Sequence, residues 1–316
     1  GSEMCIRDSL YNKNSIQFFE KMSKAKTGGQ RLSLLSKLPL KSFLKPRVSL
    51  LEGLTDPFVH INMGQTAEVL AKDFNISRSE QDSFALDSHK KSTRAIKEGL
   101  FSDEMMKFSV PPKFSQVVDW DTGVRQEQTI EALTKLRPFF DKKFGSITAG
   151  NSSQITDGAA MVIIASEEGL AKLGNVKPLA IIKDFAFAGL EPKRMGLGPV
   201  YATQKLNKQM GAKLSDYQRV EINEAFSAQV IACLRAFSSA GFCQENFGEG
   251  AMGDIDPNIL NPNGGAVAIG HPVGATGTRL VLTLAHELQR SKKELGLASL
   301  CIGGGQGGAM ALEAVA

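Results

Sequence analysis

Cysteine is scarce in this chain: Cys5, Cys233, Cys243 and Cys301 are the only four in 316 residues, and no two stand as Cys-x-x-Cys. That excludes a disulfide-stapled scaffold and fits a reducing compartment. An excess of one charge is also lacking, since 37 Lys and Arg face 33 Asp and Glu, a net charge of +4. Nucleic acid therefore gains no support as a partner. No apolar run approaches the roughly 20 residues that cross a bilayer, and no signal-peptide pattern opens the sequence. No metal-ligand set stands out. Aromatic residues are sparse at 7%, whereas 42% of the chain is apolar and 31 residues are glycine. This is the composition of a soluble α/β enzyme, with one large core or two moderate ones and glycine in its strand-to-helix turns.

The first residues are set aside. Gly1-Ser2 reads as a cloning remnant and Met4 to Ser9 as an adapter-like string, so Cys5 is excluded from the chemistry. Residues 21–51 carry Lys21, Lys24, Lys26, Arg31, Lys37, Lys41, Lys45 and Arg47 interleaved with leucines. This basic amphipathic stretch is either a solvated face or a docking surface for an anionic membrane or a partner subunit. Helices are expected over 64–74 and, from the capping box Ser77-x-x-Glu80, up to about Gly99. Ala159 to Ala165 reads as a buried strand, as does Leu179 to Phe187. Helix 202–210, strand 219–222 and helix 225–237 continue an alternating α/β pattern. Residues 238–260 read as a long inserted loop. A helix over 278–289 and a hairpin around Gly303-Gly304-Gly305 close the chain.

Three polar residues stand at strand ends or turns, where such proteins place reactive groups. Asn223 precedes a helix and by itself reads as an N-cap. His271 lies in Gly-His-Pro-Val-Gly-Ala-Thr-Gly, held by Pro272 and lined by glycines; it is either a structural histidine or a general base. Cys301 adjoins the triple glycine and is either a small buried apolar residue or a thiol beside free backbone N–H groups able to hold an oxyanion. Gly303, Gly305 and Gly308 satisfy GxGxxG, but this run precedes a strand instead of opening a helix, so a dinucleotide site is rejected.

Asn-Glu-Ala-Phe at 223–226, the run 261–277 and Leu-Cys-Ile-Gly-Gly-Gly-Gln-Gly-Gly-Ala-Met at 300–310 together resemble the C-terminal signatures of the thiolase family. The resemblance extends upstream through Asn62 to Glu68, Lys135 to Pro138 with Phe140, and Thr148 to Ser153. It implies a fold of two similar βαβ halves in α-β-α-β-α layers, with most of the first half missing. The implied divisions are a residual segment 1–20, a loop domain 21–154, a remnant of the first half at 155–174 and a C-terminal domain 175–316. It implies an acyltransferase that cleaves 3-ketoacyl-CoA with coenzyme A in fatty-acid β-oxidation, or runs the reverse condensation, and binds no permanent cofactor.

Residue by residue, the resemblance makes His271 the base that activates the nucleophilic cysteine and, with a water held by Asn223, the group that stabilises the thioester oxyanion. Cys301 becomes the second acid/base, and the Gly303 N–H part of the second oxyanion hole. Arg125 matches a contact to the CoA nucleotide, Ser153 and Ala149 the pantetheine path, and Met63, Phe140 and Phe226 the tunnel lining. The family's nucleophile, in a Cys-Ser-Ser-Gly-like turn, has no counterpart here. The chain is accordingly expected to be N-terminally truncated and inactive alone, or else a non-catalytic acyl-CoA or lipid-binding relative, or one subunit of a split enzyme. The family also implies a homodimer or tetramer, a hydratase/dehydrogenase partner in an oxidation complex, peripheral membrane contact through 21–51, and a cytoplasmic location, with a mitochondrial one left open.

Overall fold

The computed structural model describes residues 9–10, 13–25, 27–43, 47–48, 52–174 and 176–315. The chain divides into a unit of residues 3–55 and one running from Asp56 to the C-terminus. In the smaller unit, strands β1 (Ser9–Leu10) and β2 (Arg47–Val48) pair antiparallel. Helices α1 (Lys13–Lys24), α2 (Gly28–Leu35) and α3 (Leu40–Phe43) pack together. Thr27 and Gln30 form a reciprocal capping box that opens α2. The basic stretch is thus three short helices, with Leu32, Leu35 and Leu40 exposed among the cations. Cys5, Lys26, Lys45 and Pro46 lie outside the described residues.

In the larger unit, helix α4 (Met63–Asp73) opens on an Asn62/Gln65 capping box and α5 (Arg78–Lys97) on the expected Ser77/Glu80 box. Gly99, at φ +68°, turns the chain out of α5. Short strands β3 (Phe108–Ser109) and β4 (Val117–Val118) pair antiparallel. Helices α6 (Ile130–Thr134) and α7 (Glu167–Lys172) follow, each opened by a hydroxyl cap, from Thr129 and Ser166.

The core sheet has the order β5-β8-β7-β6, with β5 at Ala180–Gly189, β6 at Arg219–Ile222, β7 at Leu295–Ile302 and β8 at Gln306–Ala314. Strands β6 and β7 run parallel and the other pairs antiparallel. Helix α8 (Gly198–Met210) packs on β5, β7 and β8; α9 (Ser227–Ser238) joins the same core. After α10 (Ala240–Phe247) and α11 (Ala266–Ile269), helix α12 (Val273–Ser291) packs against β6, β7 and β8. The two-residue period of the strands divides the core: Leu297, Ala309 and Ala311 join the cluster containing α8, whereas Ala298, Met310 and Leu312 join Leu280, Leu284 and Leu288 of α12.

Three expectations are corrected. Residues 238–260 are not one long loop, because Ser239 caps the Phe242 N–H and starts α10, which Gly248 ends at φ +69°. Asn223 is not an N-cap; the cap position of α9 is Phe226, with no side-chain cap. Residues 159–165 form no strand, and Met161, Ile163 and Ile164 are 81%, 84% and 73% exposed. A helix satisfies its own backbone, but a strand needs a neighbour, and no described segment pairs with this one. Edge strand β5 shares the deficit, exposing Phe185 and Phe187 on one face.

Candidate active site

Asn223 follows the last residue of β6, and its backbone N–H continues the ladder to the Ser299 carbonyl (2.9 Å). The next residues cross to another segment: the Ser153 N–H donates to the Ala225 carbonyl and the Ser227 N–H to the Asn151 carbonyl, both at 2.9 Å. Glu224 anchors the link. Its buried carboxylate accepts from Ser88 Oγ of α5 (2.6 Å), Asn261 Nδ2 (2.8 Å) and the Val267 N–H (3.2 Å). The Glu224 carboxylate also occupies the space that a Cβ at Gly265 would need, which accounts for glycine at that turn.

His271 sits between α11 and α12, its backbone N–H donating to the Gln154 carbonyl (3.0 Å). The Thr276 hydroxyl donates to the Pro272 carbonyl (3.0 Å) and lies 2.6 Å from His271 Nδ1. With the hydroxyl proton given to the Pro272 carbonyl, the assigned tautomer has Nδ1–H donating to Thr276 Oγ1 and the lone pair on Nε2. That nitrogen is 3.3 Å from Asn223 Nδ2. Burial first, then the Arg279 guanidinium, push the imidazole pKa down to about 4. At neutral pH His271 is therefore an uncharged ring with a directed Nε2 lone pair, the form a general base requires. The fully buried Asn223 presents an Oδ1 that accepts from no described group.

Cys301 pairs with Gly307, one step before the Ile302↔Gln306 pair that closes the hairpin. It is buried with Met195 and Ala225, and Met63 and Phe226 pack on that cluster. Burial pushes its thiol up to about 12, so at neutral pH it is a proton donor. The adjacent Gly303 N–H donates to no described acceptor. The Phe140 ring stands edge-on to Phe226 at 6.1 Å and fills the place of a Gly64 Cβ. Met63, Phe140, Phe226 and Cys301 thus share one apolar neighbourhood.

Arg125 lies elsewhere, on an open cleft of about 560 Å³ lined also by Trp120, Thr122, Gly123, Val124 and Gln154. Its N–H donates to His89 Nδ1 (3.2 Å). Burial and the nearby guanidinium lower His89 to about 4, so the ring is a neutral acceptor. Gln154 links the two regions: its Nε2 donates to the Gly123 carbonyl (2.9 Å), while its own carbonyl receives the His271 N–H. Ser153 neighbours Gln154 and pairs with Ala225; Ala149 is exposed in a turn with Gly150. No described contact joins Ala149 to Arg125. Sequence reasoning missed Thr276, Gln154 and Glu224 as supports; Thr276 lies inside the Gly-His-Pro motif and Glu224 inside Asn-Glu-Ala-Phe, whereas Gln154 lies in neither.

Comparison with known proteins supplies the class. Residues 19–168 match the family model for the thiolase N-terminal domain and 176–314 that for the thiolase C-terminal domain. The chain belongs to the thiolase family, and its fold is a thiolase fold. It is 42% identical over 294 residues to a 3-ketoacyl-CoA thiolase of Shewanella halifaxensis and 41% identical to one of Yersinia enterocolitica. Each match covers 92% of this chain and 66% of the relative, so the chain spans just under two thirds of their length. Among solved structures, human mitochondrial 3-ketoacyl-CoA thiolase in complex with CoA is 40% identical with a TM-score of 0.77, over 85% of this chain and 63% of that one. Bacillus anthracis acetyl-CoA acetyltransferase is 39% identical with a TM-score of 0.75, over 86% and 64%.

Proposed function

We propose that this chain supplies the base, the second thiol and the coenzyme A cleft of an acyl-CoA C-acyltransferase that cleaves 3-ketoacyl-CoA to acetyl-CoA and a shortened acyl-CoA, or catalyses the reverse condensation. The observation that carries the reading is the placement of His271, with Nδ1 2.6 Å from the Thr276 hydroxyl and Nε2 3.3 Å from Asn223 Nδ2. Nε2 takes the proton of a nucleophilic thiol, which attacks the 3-keto carbon; the bond between C2 and C3 then breaks. The oxyanion formed on that attack is held at the Gly303 N–H; the departing enolate of acetyl-CoA, its thioester oxygen held by His271 and a water on Asn223, takes the Cys301 proton at carbon. CoA then attacks the acyl-enzyme, its thiol proton returns to Cys301, and His271 reprotonates the nucleophile.

The nucleophile is not among these residues. Cys233 is fully buried, and burial pushes its thiol far up; Cys243 is buried in α10. In this reading Arg125 receives the nucleotide end of CoA, Ser153 and Ala149 flank the pantetheine arm, and Met63, Phe140 and Phe226 line the acyl tunnel. A role in β-oxidation, the division at about residues 154 and 175, a homodimer or tetramer, and a hydratase/dehydrogenase partner belong to the same proposal. Peripheral membrane contact through 21–51 is supported by exposed Leu32, Leu35 and Leu40 among cations. No helix among the described residues is long and apolar enough to cross a membrane. A cytoplasmic location is proposed from the bacterial relatives and the scarcity of cysteine.

Trp120, the only tryptophan, lines the cleft and reports on it directly. Titrating the chain with CoA should change Trp120 fluorescence saturably, and Arg125→Ala should weaken binding by about tenfold or more. Joining the chain to the N-terminal third of the Shewanella halifaxensis relative should give CoA-dependent cleavage of acetoacetyl-CoA, reduced about 10²- to 10⁴-fold by His271→Ala. Absence of cleavage of any 3-ketoacyl-CoA would overturn the catalytic reading, and binding without cleavage would favour a non-catalytic acyl-CoA carrier.

A further inference from the structure

The Gly303-Gly304-Gly305 turn has no side chain to fix its shape, and glycine loses the most backbone freedom on folding. Gly304 and Gly305 both have positive φ, +82° and +78°. The turn is held from outside at two points. The Leu190 N–H donates to the Gly305 carbonyl (2.8 Å), and the Gly304 N–H donates to Asp56 Oδ2 (2.9 Å).

Asp56 is wholly buried, and its other carboxylate oxygen accepts from Phe58 N–H (2.8 Å) and Val59 N–H (3.1 Å) of its own turn. Its backbone N–H donates to the Ile61 carbonyl, and its carbonyl accepts from the His60 N–H, both at 2.9 Å. A rigid turn just ahead of Met63 thus carries a carboxylate with two oxygens committed in opposite directions, one inward and one to a glycine 248 residues away. Both oxygens are needed. An asparagine could satisfy its own turn only by presenting an amide NH₂ to the Gly304 N–H, donor against donor.

We infer that Asp56 is a positioning residue that fixes the Gly303–Gly305 turn so that the Gly303 N–H can serve a developing oxyanion. The inference rests on the reading of Gly303 given above. The Asp56 bond to Gly304 N–H fixes the turn next to the Gly303 N–H, which itself donates to no described acceptor, and three donors hold the carboxylate in one orientation.

The test needs no nucleophile. Acetoacetyl-CoA has an acidic carbon between two carbonyls, and its enolate absorbs in the near ultraviolet where the ketone does not. Added to the 316-residue chain, it should change Trp120 fluorescence and raise the enolate band, the released proton passing to buffer. Asp56→Asn and Asp56→Ala should keep the CoA-induced Trp120 signal while losing about tenfold or more of the enolate band. Retention of the band within about twofold in both variants would overturn the positioning role. A wild-type chain that binds without an enolate band removes the Gly303 reading, and one with no Trp120 response removes the CoA reading; either outcome overturns the inference with it. Should Asp56→Ala fail to fold, the Gly304 amide proton resonance decides the geometry, expected downfield in the wild type and upfield in Asp56→Asn.

Discussion

Residues 159–165 and strand β7 are apolar runs of similar length with opposite fates. Strand β7 lies between β6 and β8, with Leu297 packed toward one layer of helices and Ala298 toward the other. Residues 159–165 pair with nothing described and leave Ile163 more than four-fifths exposed. Apolar composition is the same kind of signal in both, and the β-branched residues are commoner in 159–165 than in β7, so composition is not what makes the strand. Neighbours are, because each strand amide needs an acceptor on another strand and each side chain a surface to cover it.

The comparison breaks most completely if a neighbouring segment is supplied. In the joined protein with the Shewanella halifaxensis N-terminal third, residues 159–165 should become a protected strand. Their amide exchange should slow by about three orders of magnitude or more, toward that of β7. Unchanged exchange there would mean that the run is not a strand of this fold. A smaller effect sharpens the contrast: Leu297→Ala should cost about 2–5 kcal/mol in denaturant unfolding, against less than about 0.5 kcal/mol for Ile163→Ala. Equal costs would show that the exposed run is packed in solution.

The smallest effect separates the runs by pH. Glu221 of β6, beside β7, is fully buried; burial, opposed by Arg279, pushes its carboxyl up to about 8. The folded chain then keeps a proton that the unfolded chain releases near the ordinary glutamate value of 4.5. Stability should fall as pH rises from about 4.5 through about 8, the interval in which the folded chain holds this proton and the unfolded chain does not. Glu221→Gln should flatten that slope in thermal melts, and an unaltered slope would assign the dependence elsewhere. Residues 159–165 contain no titratable side chain, so their exchange should show no such dependence beyond the chemical rate.

Local chemistry made much of the fold legible. The Ser77 capping box, the Gly99 stop and the triple-glycine hairpin are written in consecutive residues, and the elements follow them. The site was legible in part. Asn223 and His271 lie 48 residues apart and meet across β6 and α12; family likeness, not spacing, brought them together in the sequence reading. Asp56, Gln154 and Glu224 were missed because their partners lie 248, 117 and up to 136 residues away, and no local pattern marks a buried carboxylate as an anchor. The run 159–165 was misread for the complementary reason: the sequence signal for a strand is local, but its hydrogen bonds are not.

Glu224 also sets a sequence of events in time. Its three donors come from α5, from the Asn261 side chain and from the start of α11, separated from it by 136, 37 and 43 residues. As the chain emerges from the ribosome, α5 can form early, because helical contacts are local and fast. The carboxylate cannot be fully satisfied until Val267 has also been made. The strand end that presents Asn223 therefore sets late, after most of the secondary structure around it, and the nascent protein acquires its chemistry among its last acts of folding.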